Sequence, residues 1–121
     1  MSSDKLLGVW GEDEAVRYLE NEGLQLLERG FQTRWGEVDA IFKHNDTIIF
    51  VEVKTRTYSS DYPAVEAVTP AKQRKLNLAA LMYMKKHRLE TMSLRFDIVT
   101  IEAGKIDWIP NAFDGSPRYT Y

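Results

Sequence analysis

The chain has 121 residues, 44% of them apolar and 28% charged, with no cysteine, two histidines and a formal net charge of −2 from 16 basic and 18 acidic side chains. A length of about 100–150 residues is that of one domain, and such a chain buries enough apolar surface to fold without a metal or a disulfide. The lack of cysteine excludes disulfide scaffolds, thiolate nucleophiles, iron–sulfur clusters and zinc fingers, so any metal here is expected on oxygen ligands.

From Asp4 to Glu22 the pattern is helical: Leu7, Trp10 or Gly11, Ala15, and Tyr18 or Leu19 recur at three- and four-residue steps. Ser3 or Asp4 is the expected N-cap and Gly23 the C-terminal cap. Leu24–Phe31 reads as a strand, followed by a short loop over Gln32–Gly36. Glu37–Lys43 and Thr47–Thr55 are rich in Val, Ile and Phe and separated by His44-Asn45-Asp46, a hairpin signal. Both runs carry apolar residues on both alternating faces, as strands do in the middle of a sheet covered by helices on each side. Residues 56–68 read as a loop. Thr69-Pro70 then opens a second helix, with Leu76, Ala79, Ala80, Tyr83 and Met84 as its buried stripe up to about Arg88. Ser93–Ile101 and Ile106–Ile109 are two more strands around a turn at Ala103-Gly104-Lys105, with an irregular tail from about 110. The expected order is αβββαββ, one three-layer α/β domain over residues 1–121 with a central sheet between helices.

No apolar run approaches the roughly 18 residues of a membrane span, and MSSDKLLG lacks the apolar core of a signal peptide, so the expected location is the cytoplasm, with no membrane partner. Charge is unevenly spread. Residues 1–28 hold two basic and seven acidic side chains, and residues 70–90 hold six basic and one acidic. The second segment is either a positive face able to meet a polyanion or a solvated helix face.

The anomaly lies in the hairpin. Asp39, Glu52 and Lys54 sit in strands that are otherwise almost wholly apolar, where ionised groups are costly unless paired or bound to a metal. Glu52 and Lys54 are two apart and share a face. A two-residue turn at Asn45-Asp46 pairs His44 with Thr47 and, counted back along both strands, Asp39 with Glu52. Two adjacent carboxylates repel each other, and one lysine neutralises only one of them. A divalent cation resolves this: two carboxylates, the backbone carbonyl of Val53 and waters make the oxygen shell preferred by Mg²⁺ or Mn²⁺. Such an ion would activate water against a phosphodiester, with Lys54 orienting the water or stabilising the transition state. The competing structural reading is a metal-free cluster of Asp39, Glu52 and Lys54.

Other residues carry paired readings. Glu12 shares a face with Gly8 and Ala15 and adjoins Gly11, so it is either a further metal or water ligand brought close by small residues, or a solvated charge beside Asp13 and Glu14. Lys72 either reaches a phosphate or is an exposed first-turn lysine. Trp35 either stacks on a base or packs against the first helix. Arg34 and Arg56 flank the hairpin and suit phosphate contacts. Arg95 and Asp97 alternate on one strand face and are expected to pair, and His44 and His87 read as surface residues.

The segments GVWGEDEAVRYLENEG, GEVDAIF, IIFVEVKTR, PAVEAVTPAKQRKL and RFDIV, in that order over roughly residues 8–113, resemble the YraN family of small bacterial proteins. That resemblance implies a restriction-endonuclease-like fold with a PD-(D/E)XK motif and kinship to archaeal Holliday-junction resolvases. It makes Asp39 and Glu52 the metal-binding carboxylates, Lys54 the motif lysine, Glu12 the helix-borne acid and Lys72 an auxiliary residue, with Gly36 and Glu37 in the same motif. Relatives usually carry an Asn and an Arg where this sequence has Gly30 and Gln32, which removes a positive charge. The implied function is a Mg²⁺- or Mn²⁺-dependent DNA nuclease, structure-selective, in repair or recombination. The alternatives are a nucleic-acid-binding module that does not cut and an interaction subunit of a DNA-processing complex. The expected partner is DNA, with RNA as the alternative. A two-fold symmetric junction as substrate would call for a homodimer.

Overall fold

Apolar strands flanked by amphipathic helices settle into one layered arrangement, seen here in a computed structural model that describes residues 3–57 and 68–114, with side chains from residue 6. The elements are α1 (Ser3–Asn21), β1 (Gln25–Thr33), β2 (Gly36–His44), β3 (Thr47–Arg56), α2 (Pro70–Lys86), β4 (Ser93–Glu102) and β5 (Lys105–Phe113). The expected order αβββαββ is the observed one. Most of the expected loop at 56–68 and the last part of the expected tail lie outside the described residues.

The five strands form one mixed sheet in the order β1-β2-β3-β4-β5. Among the described strands only β3 and β4 run parallel, and α2 is the crossover that parallel neighbours require. The predicted two-residue turn is present, with Asn45 at φ 53 and His44 opposite Thr47. Each helix covers one face. Leu76, Ala79, Ala80, Tyr83 and Met84 of α2 pack on Ile41, Ile48, Phe50, Phe96 and Ile98. Ala15, Val16 and Leu19 of α1 pack on the opposite set, Ala40, Phe42, Ile49, Val51, Val99 and Ile101.

Three boundaries differ from expectation. Helix α1 already contains Ser3 and Asp4. Strand β1 runs on to Thr33 because Gln32 and Thr33 pair with Glu37 and Gly36, leaving Arg34-Trp35 as the turn. Strand β5 runs past 110 to Phe113: Asn111 N–H donates to the buried Asp97 carboxylate at 2.9 Å, and Phe113 stacks on Phe96 at 4.8 Å. Pro110 is tolerated because β5 is an edge strand. Thr69 caps α2 as expected, its hydroxyl accepting from Lys72 N–H at 3.2 Å. Among the described residues no helix is long and apolar enough to cross a membrane.

Candidate functional site

The β2–β3 ladder holds the predicted register from His44↔Thr47 to Ala40↔Val51 and stops one pair short of Asp39 and Glu52. There the Asp39 side chain replaces the backbone: its Oδ2 accepts the Val53 N–H at 2.8 Å. Side-chain alternation also breaks at this point, since Val38 and Ile41, three apart, both face α2. On the other flank Gly30 takes φ 65, a left-handed conformation open to glycine and, among other residues, most readily to asparagine.

Glu52 faces α2 and is only 6% exposed. Lys72, reaching down from the first turn of α2, places Nζ 3.0 Å from Glu52 Oε2. This is an ion pair without hydrogen-bond geometry, and Oε2 accepts no hydrogen bond. Lys54 lies half-buried two residues along the strand, close to Lys72.

Burial, then the hydrogen bond and charge of Glu52, push the Asp39 carboxyl up to about 8, against the opposing Val53 N–H. Burial also lowers the Lys54 ammonium below its ordinary range, and the neighbouring Lys72 adds to this, although Glu52 and Asp39 work the other way. Burial works against the Lys72 charge too, but Glu52 and Asp39 outweigh it and raise that group.

Helix α1 supplies Glu12 through a close crossing. A Cβ on buried Gly11 would collide with Thr55 Oγ1, so only glycine lets the helix settle here on β3. Glu12 follows at once, half-buried, and burial and then the Glu37 charge raise its carboxyl, with Arg29 opposing. Carboxylate oxygens of Glu12, Glu37 and Asp39 all lie within 4.8 Å of one another. Glu37 was not singled out as a ligand by sequence reasoning. The available signal was its position two residues before Asp39, but an exposed acid beside a turn is ordinary. Its carboxylate accepts from the neutral donor Gln32 Nε2 at 2.7 Å.

Asp39 and Glu52 separate two cavities. The one on the α2 side, about 460 Å³, is also lined by Trp35, Glu37, Lys72 and Lys75. The one under α1, about 310 Å³, is lined by Gly8, Glu12, Val53 and Thr55. Trp35 thus borders the carboxylates from the α2 side; the Arg34 guanidinium lies 4.6 Å over its ring. Arg56 lines neither cavity and pairs with Glu102 at 3.1 Å. Arg95 pairs with Asp97 as expected, and both histidines are exposed.

A family model described as uncharacterised protein family UPF0102 matches residues 11–101. A UPF0102 protein of Syntrophomonas wolfei is 45% identical over 111 residues, covering 88% of this chain and 96% of its own length. One from Geobacter metallireducens is 44% identical over 115 residues, covering 92% and 94%. Another, from Herminiimonas arsenicoxydans, is 38% identical over 110 residues, covering 91% and 88%. The matched span contains Glu12, Glu37, Asp39, Glu52 and both neighbouring lysines, and the chain belongs to the UPF0102 family, the YraN family that its motifs resemble.

Proposed function

We propose that this protein is a metal-dependent nuclease that hydrolyses DNA phosphodiester bonds with Mg²⁺ or Mn²⁺, on a restriction-endonuclease-like version of the α/β fold. One observation carries the reading: carboxylate oxygens of Glu12, Glu37 and Asp39, brought from α1 and β2, lie within 4.8 Å of one another, with buried Glu52 beside Asp39. Carboxylate oxygens suit Mg²⁺ or Mn²⁺, and a bound cation would offset the burial and the neighbouring negative charge that together raise Asp39 and Glu12. Asp39, Glu52 and Glu12 would hold the ion, with Glu37 and the Val53 carbonyl as further oxygen donors. Such an ion, when bound, supplies a water of lowered pKa and positive charge opposite the phosphate.

The protein's own groups do the rest. Val53 N–H fixes the Asp39 carboxylate in place. Lys54, with its ammonium already destabilised by burial, orients the attacking water and meets charge developing on the phosphate. Lys72, at the mouth of the α2-side cavity, binds the phosphate itself.

The test is cleavage of branched, nicked, single-stranded and duplex DNA in Mg²⁺ or Mn²⁺. The expected result is cutting of at least one form, lost on Asp39→Ala and on Glu52→Ala; cutting of none, or cutting indifferent to both changes, rejects the proposal. The Lys72–Glu52 ion pair favours a second reading, a nucleic-acid-binding module that keeps the site as a metal-free cluster. Calorimetric titration with Mn²⁺ separates the two, because that module would show no heat of binding.

A further inference from the structure

The α2-side cavity does not stop at the carboxylates. Trp35, which lines it, also lines a groove of about 370 Å³ whose remaining walls are Leu78, Leu81, Met82, Lys85 and Lys86. The floor is apolar and open, with Met82 39% exposed. Residues 75, 78, 82 and 85 recur at three- and four-residue steps and so form one stripe along α2. The stripe starts at Lys75 in the carboxylate cavity and ends at Lys85 and Lys86, and α2 contains no acidic residue. The Arg34 guanidinium adds a further cation over the Trp35 ring.

We propose that this groove is a binding track for a single strand of nucleic acid, running on from the carboxylate cavity, past Trp35 and along the outward face of α2. The inference rests on the phosphodiester chemistry proposed above. A single strand offers phosphates and exposed base faces together, matching lysines set beside an aromatic and aliphatic floor. A duplex presents phosphates while its base faces are stacked inside, so it would engage the lysines and leave the floor unused. An acidic peptide would also meet the charge, but nothing in its chemistry calls for continuity with a carboxylate cavity. From Lys72 to Lys86 the helix rises about 21 Å, long enough to follow several nucleotides of a single strand.

The test uses the full chain in EDTA, so that binding is read without cutting, by fluorescence anisotropy of labelled dT12, dT3 and a 12-base-pair duplex. The wild type is expected to bind dT12 at least tenfold more tightly than either of the others. Joint replacement Lys85→Glu and Lys86→Glu should weaken dT12 binding about tenfold or more and flatten its log–log salt slope by about 1.4, at about 0.7 for each phosphate no longer neutralised. Trp35→Ala should weaken it about tenfold by removing the stacking ring. If Trp35→Ala fails to fold by circular dichroism, the lysine pair, which is exposed, decides alone. Equal affinity for dT12 and duplex, unchanged binding by the lysine variant, or tighter binding of a polyglutamate peptide than of dT12 overturns the track. Cleavage in Mn²⁺ is read separately on the same DNAs. Cutting with no effect of the lysine pair overturns the track and leaves the nuclease standing. Track-dependent binding without cutting of any DNA form upholds the track and overturns the nuclease.

Discussion

With burial and Glu52 holding the Asp39 carboxyl at about 8 in the metal-free protein, against its ordinary 3.8, the folded state keeps a proton that the unfolded chain releases. The stabilising contribution of that proton is complete below about pH 4 and is lost as pH rises through about 8. Asp39→Asn, which cannot ionise, should therefore gain on the wild type as pH rises, by an amount on the order of 4 kcal/mol between about pH 4.5 and about pH 8. Urea denaturation in EDTA at both pH values measures this, and a pH-independent difference would contradict the buried-carboxyl account. Asp97 is a buried acid with a full set of hydrogen-bond donors. Its carboxylate accepts from Arg95 Nε at 2.9 Å, Arg95 Nη2 at 3.0 Å, Trp108 Nε1 at 2.9 Å and Asn111 N–H at 2.9 Å. Asp97→Ala should cost about 3–5 kcal/mol by the same denaturation measurement, since it strands a half-buried guanidinium and frees β5. Asp39 and Glu52 were legible in the sequence because charge in an apolar strand is anomalous. Glu37 was not, because its contribution comes from where α1 lands and not from its neighbours in the chain.

Elements place these residues through two backbone exceptions. The hairpin register was readable because a two-residue Asn-Asp turn leaves little freedom, and the observed pairs follow it as far as Ala40. The break beyond Ala40 was not readable, because it depends on a side chain, Asp39, taking an amide from its partner strand. The close helix crossing was foreshadowed by the small residues around Glu12, and Gly11 proves to be the contact point. Gly11→Ala should cost about 1–3 kcal/mol by overpacking against Thr55. Part of that cost should be recovered in the double variant with Thr55→Ala, because the Oγ1 that meets the added Cβ would be gone. Thermal melts of the wild type, both single variants and the double variant check this cycle. Strict additivity would mean that the helix rests elsewhere. The end of β5 escaped sequence reading for a related reason: Pro110 signals irregularity locally, and the pairing beyond it is held by Asp97 from the adjacent strand.

At the scale of the whole molecule, a ligand that binds only the folded state stabilises it by mass action. Mn²⁺ at about one hundred times its dissociation constant should raise the unfolding free energy by about 2.7 kcal/mol, and EDTA should reverse the gain. Asp39→Ala should abolish the increment; an increment that survives would place the ion elsewhere.

The sheet topology divides the chain into two halves of opposite character. Residues 1–57, which form α1 and the β1–β3 meander, carry eleven acidic and seven basic side chains; residues 68–121 carry five acidic and nine basic. The carboxylates of the site belong to the first half and Lys72 to the second, so the constellation is complete only when the halves dock across the β3–β4 pair. Cut between Arg56 and Thr69, the protein is suited to fragment complementation: two inert pieces whose reunion is electrostatically steered. Their association rate should fall steeply as salt is raised, while the amount of reassembled protein at equilibrium falls much less.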